Sequence, residues 1–144
     1  MHLGVQIRGH RLPDNTGKLM WSMSAEKCLN EVLHKLDTIL LKKGKYLPTN
    51  VVKPLFNNYC PEMDVSPLLV QLHHTLYMQL VGILHWAVEL GRVDIHLSVA
   101  LMAQYLAQPY IGYLDQIYHI FAYIKAQLCS IIIMDPTLPS VDHN

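Results

Sequence analysis

The chain has 144 residues, 51% of them hydrophobic, with 11 Lys/Arg balanced by 11 Asp/Glu. That length allows one domain or two small subdomains, and the apolar content excludes wholesale disorder. A formal net charge of zero argues against a strongly basic nucleic-acid binder.

The charges are unevenly distributed along the chain. Residues 1 to 45 hold eight Lys/Arg against four Asp/Glu, and the remainder holds three against seven, so any phosphate contact is expected in the first third. Cys28, Cys60 and Cys129 stand far apart with no C-x-x-C pair, and no basic-then-apolar leader follows Met1. The expected setting is a reducing, intracellular and cytoplasmic one, without a disulfide framework.

The first expected element is a β-hairpin. Leu3, Val5 and Ile7 alternate with Gly4, Gln6 and Arg8, Leu19, Trp21 and Met23 alternate with Lys18, Met20 and Ser22, and Pro13 to Gly17 between them supplies turn chemistry. Each strand is expected to turn its apolar set toward a core. An amphipathic helix follows, which Ser24 can cap, with Cys28, Leu29, Val32, Leu33, Leu36, Ile39 and Leu40 at helical spacing. Lys27, Glu31 and Lys35 are four apart on its polar face, and Gly44 marks its end just after Lys42 and Lys43.

Residues 46 to 67 break the pattern with Pro48, Pro54, Pro61 and Pro67, and read as a long connector between a first unit (1 to 45) and a last one (68 to 144). Three helices are then expected: Leu68 to about Leu90, Asp94 to about Ala107, and Tyr113 to about Gln127. The first is apolar nearly all round and is expected to be the most buried of the cluster. Asp94 can cap the second. The β-branched run Ser130 to Met134 is expected to close the chain as a short strand. The fold class is therefore α+β and α-dominant.

Chemistry is sparse. Leu72 to Val88 runs seventeen residues without a charge, but His73, His74, Gln79 and His85 interrupt it, so a membrane span is not expected. None of the nine histidines falls at metal-ligand spacing, and no paired carboxylates, glycine-rich phosphate loop or nucleophile elbow is present. Neither a catalytic residue nor a metal site is therefore expected.

The second half carries a recognisable order of motifs. Leu80-Val81-Gly82-Ile83-Leu84-His85-Trp86 leads to Arg92-Val93-Asp94-Ile95, then to Tyr105-Leu106-Ala107-Gln108-Pro109, and finally to Tyr123-Ile124-Lys125. This resembles the pattern of copia-type LTR retrotransposon reverse transcriptases over some fifty residues. In the first half, His2-Leu3-Gly4-Val5-Gln6-Ile7 is similar to the strand that opens the primer-grip hairpin of that family, and the following amphipathic helix falls where its thumb helix does.

The resemblance implies a segment lying after the catalytic aspartates and before the RNase H domain, with Mg²⁺ expected only in the palm that this chain lacks. By carry-over, Leu3, Gly4 and Arg8 would belong to the grip, and Lys27, Lys35, Lys42 and Lys43 would contact phosphates of an RNA/DNA primer–template. Gly82, Trp86, Arg92, Asp94 and Pro109 would be architectural. The parent's palm and RNase H domains would be the protein partners. Two departures weaken the phosphate role: His85 stands where the family tends to carry Arg, and Ala126-Gln127-Leu128-Cys129 replaces a basic run. The other reading is a helical protein-interaction module from a decayed retroelement, docking through the exposed face of its long apolar helix.

Overall fold

The computed structural model describes residues 6 to 11 and 17 to 134. The elements are β1 (Gln6–Arg11), β2 (Leu19–Ser24), α1 (Glu26–Lys42), α2 (Gln71–Glu89), α3 (His96–Ala103), α4 (Ile111–Ala126) and β3 (Ile132–Met134). Short 3-10 turns lie at Pro61–Met63 and Val93–Ile95. The architecture is α+β and helix-dominant, with a three-stranded antiparallel sheet ordered β1-β2-β3.

The hairpin forms in the expected place, with Ile7 opposite Met23, Gly9 opposite Trp21 and Arg11 opposite Leu19. Its turn, Pro13 to Thr16, lies outside the described residues, as do Leu3 and Val5. Burial does not follow the expected alternation, although Met23, on the same face as Leu19 and Trp21, does reach the body of the protein at Gly91. Ser22 and Ser24 are buried, while Leu19 and Trp21 are each 45% exposed and Ile7 is 65% exposed. The reason is local. The Ser22 hydroxyl lies 2.6 Å from His10 Nε2, and the Ser24 hydroxyl accepts the Glu26 amide at 3.2 Å, so two small polar side chains fit tightly where the strand turns into α1. The residue at the helix boundary is Ala25 rather than Ser24.

β3 joins this sheet from the far end of the chain, pairing Ile132 with Met23 and Met134 with Trp21. Ile132 and Met23 share a face and reach Gly91, where a Cβ would sit 3.0 Å from Ile132 Cδ1. Gly91 has φ +113°, which an L side chain rarely adopts, so both its backbone and its lack of a side chain are used.

α1 buries Leu29, Leu33, Leu36 and Leu40 as one stripe. It ends as expected at Gly44: the Lys45 amide bonds to Leu40 O at 3.0 Å and the Gly44 amide to Leu41 O at 3.0 Å, with Gly44 at φ +65°. That is the Schellman arrangement, which satisfies otherwise orphaned helix carbonyls.

The connector is strapped onto α4. Gln116, fully buried, accepts the Phe56 amide through Oε1 at 3.4 Å and donates from Nε2 to Pro54 O at 3.1 Å. His119 Nε2 donates to Lys53 O at 3.0 Å, and the Tyr113 hydroxyl donates to Pro61 O at 3.0 Å. Burial pushes the His119 pKa down, with the Lys53 carbonyl opposing. Leu47 and Val51 from the same stretch enter the core, so residues of all three expected units share one buried cluster.

α4, not α2, is the most buried helix. Nine of its residues are buried, from Tyr113 to Ile124, whereas α2 exposes Leu72, Thr75, Met78, Gly82, His85 and Glu89 along one side. α2 is nevertheless tied to the α3 region: the buried Tyr77 hydroxyl donates to Met102 O at 2.8 Å, and His74 Nε2 to Leu106 O at 2.7 Å. Between the starts of α2 and α4, Leu69 donates to Pro109 O at 2.9 Å and Ile111 to Pro67 O at 3.0 Å. Pro109 therefore serves as an acceptor in a two-bond bridge.

Asp94 does not cap α3, whose N-terminal boundary residue Ile95 has no side-chain cap. Its carboxylate is taken instead by Arg92, through Nε at 3.0 Å and Nη2 at 2.8 Å, while Arg92 Nη1 donates to Gln127 O at 3.1 Å. The Arg92 side chain is only 3% exposed. A planar fork with several donors suits this three-way bond, which ties the α2–α3 corner to the end of α4. α3 itself ends at Ala103, short of the expected Ala107.

Two predictions follow from this pairing. Arg92→Met strands a partly buried carboxylate and the Gln127 carbonyl; a loss of about 3 kcal/mol is expected in urea unfolding, with an unchanged midpoint as the contrary result. For Asp94, burial raises the pKa, but the hydrogen bonds and charge of Arg92, with help from the Tyr123 hydroxyl, outweigh it and hold the carboxyl below its ordinary 3.8. A depressed folded-state pKa gives stability that is present above 3.8 and lost as pH falls through the lower, folded value. Asp94→Asn should therefore flatten the acid limb of a stability–pH profile measured from pH 6 downward.

Candidate nucleic-acid interface

α1 separates its two faces cleanly. With 3.6 residues per turn, Lys27, Lys35 and Lys42 fall within an arc of about 80° opposite the buried leucine stripe, spread along about 22 Å of helix. All three are exposed, and among the described residues none forms an ion pair. Thr38 lies in the same arc, His34 lies just beside it, and both are exposed. Glu31 sits among them and subtracts one charge. Lys125, which pairs with Asp37 at 2.6 Å, and Lys45, which pairs with Asp115 at 3.9 Å, lie off this row.

The remaining expected contacts divide three ways. Leu3 and Gly4 lie outside the described residues. Arg8 is exposed on β1, where its Nη2 donates to Gln6 Oε1 at 3.3 Å. It lines a small cleft of 80 Å³ together with His10, Ser22 and Glu26, which puts it near the N-terminal end of α1 on the Glu26 side, off the line of the lysine row. Lys43 turns aside. Its Nζ lies 2.8 Å from His73 Nε2 on α2, across from the row rather than within it.

His73 is a neighbour that sequence reading did not bring to the lysines. Thirty residues separate it from Lys43, and no local pattern signals that the start of α2 returns to the end of α1. Of the architectural motif, Arg92, Asp94 and Pro109 make the bonds described above. Trp86 is partly buried on α2, and its carbonyl accepts the Leu90 amide at 3.1 Å. Gly82 is exposed, and a Cβ there would meet nothing within 4 Å, so close packing does not require a glycine.

Among the described residues, no group of three or more His, Cys, Asp or Glu side chains is placed to hold a metal ion. All three cysteines are free. The Cys28 thiol is pushed up by burial and by Glu31, with Lys35 opposing, and the Cys60 thiol is pushed up by its hydrogen bond to Glu62. Neither is an activated nucleophile. Among the described residues, no helix is long and apolar enough to cross a membrane.

No protein-family model, curated protein or solved structure matches the chain.

If the lysine row serves binding rather than stability, replacing it should leave the fold intact. The triple variant Lys27→Gln, Lys35→Gln, Lys42→Gln is expected to unfold within about 0.5 kcal/mol of the parent per position. A large drop in the denaturation midpoint would instead make these residues structural.

Proposed function

We propose that this chain is a non-catalytic segment of a copia-type retrotransposon reverse transcriptase, and that in its parent it grips the sugar–phosphate backbone of the primer–template during RNA-directed DNA synthesis. The observation that carries the reading is the row of Lys27, Lys35 and Lys42 on the outer face of α1. Cations spaced along a straight helix contact phosphates without reading bases, so the grip is indifferent to sequence. Support also comes from the hairpin and helix in the order that the family resemblance implies. The chain brings no catalytic step of its own: the palm would supply the aspartates and Mg²⁺, and the palm and RNase H domains of the parent would be its protein neighbours.

A second reading has its own observation. Ile7, Leu19, Trp21 and Met134 share one face of the sheet by their register, and each is at least 45% exposed. α2 adds Leu72 at 76% and Met78 at 51% exposure. Apolar surface of this kind favours a protein-interaction module derived from a retroelement, without nucleic-acid binding.

A labelled primer–template duplex separates the two. On the first reading it binds at low salt, and log K falls against log salt with a slope of about −0.9 for each phosphate neutralised. Each Lys→Gln replacement in the row is expected to reduce that slope by about 0.9, with little dependence on duplex sequence. The absence of binding at low salt would reject the grip and leave the interaction module standing.

A further inference from the structure

The end of α1 and the starts of α2 and α4 enclose a cleft of 200 Å³ that the basic row does not use. Its rim is charged: Lys43, Lys45, His73 and Asp115 all line it. Its floor is apolar, formed by Leu40, Leu69, Ile111, Leu114 and Tyr118. Two of the rim groups balance each other, since Lys45 and Asp115 stand 3.9 Å apart, both more than half exposed. Among the described residues Lys43 has no such counter-charge. Its ammonium is held 2.8 Å from an imidazole nitrogen, which can accept a proton's bond but brings no negative charge. Beside it the 19-residue α2 begins with no acid in its first turn and no side-chain cap, so the positive end of its dipole is uncompensated as well.

We propose that this cleft binds a small organic anion, a carboxylate or phosphate monoester carried on a compact apolar or aromatic body. The anionic head would take the place opposite Lys43 and His73 that no carboxylate of the described chain occupies, with Lys45 able to swing from Asp115 toward it. The body would lie on the leucine, isoleucine and tyrosine floor. The volume falls below the roughly 300–1,000 Å³ of drug-sized sites, which limits the occupant to a single ring or short chain. A cationic rim over an apolar floor distinguishes this class from bare phosphate, which gains nothing from the floor, and from a cation, which the rim repels. The inference goes beyond the duplex grip, because the lysine row and the cleft lie on different sides of α1.

The test uses the whole chain and phenyl phosphate, benzoate, inorganic phosphate and benzamidine as probes, followed by NMR of the His73 ring and of the Ile111 and Leu114 methyl groups. Phenyl phosphate and benzoate are expected to shift both sets of signals saturably at concentrations of about 1 mM, and inorganic phosphate to bind about tenfold more weakly. Lys43→Ala should weaken phenyl phosphate about tenfold, and His73→Asn should weaken it less. The triple lysine-row variant should leave it unchanged, so loss of duplex binding and loss of this site are read separately. The proposal is overturned if the organic anions leave the methyl signals unmoved, if benzamidine binds as well as benzoate, or if the lysine-row variant weakens the anions as much as Lys43→Ala does.

Discussion

The structure depends on a polar seam along α4. A proline-rich stretch cannot form a regular ladder of its own, and its carbonyls need donors wherever it is buried. Here those donors come from side chains of one helix, Gln116, His119 and Tyr113, which meet Pro54, Lys53 and Pro61 in turn. Because the same helix buries its other faces in the core, the connector becomes a wall of the molecule instead of a tether between two bodies. Gln116 is the strictest member: fully buried, it serves as donor and acceptor at once, and neither function could be kept by an apolar residue of its size.

From that seam the rest is positioned by succession. α4 ends at Ala126, and its last turn is gripped by Arg92, which fixes where the chain leaves to become β3. β3 then reaches the hairpin, whose second strand runs directly into α1. The lysine row therefore points outward because its opposite stripe of leucines is committed to a core that α4 organises. The link from packing to candidate function is one of orientation: the helix has no freedom to turn its cations elsewhere.

How much of this was legible in the sequence varied with the range of the interaction. The Leu29, Leu33, Leu36 and Leu40 stripe and the Gly44 stop are local signals, and both read correctly. The hairpin's pairing was legible, but the burial of its side chains was not. Period two does not anticipate that Ser22 and Ser24 are buried through hydrogen bonds that hydrophobicity does not count, while Leu19 and Trp21, on the face that carries Met23, stay half exposed. Helical periodicity overrated α2 for a related reason: its apolar residues circle the helix, yet burial depends on which sides are covered, and nine residues of α4 are buried while α2 leaves one side exposed. Asp94 looked like a cap because Asp favours caps, but a guanidinium two residues away offered a better bond. The meeting of Lys43 with His73 had no local signal at all.

β1 sits at the margin of the sheet, with backbone groups on its outer side free of any strand among the described residues. Such margins invite pairing with a second identical ribbon, and an apolar face beside one increases the hazard. Arg8, His10 and Arg11 occupy that strand, and antiparallel or parallel stacking of two copies would crowd these basic groups together. These side chains thus act as gatekeepers, making the ribbon a poor template for its own kind.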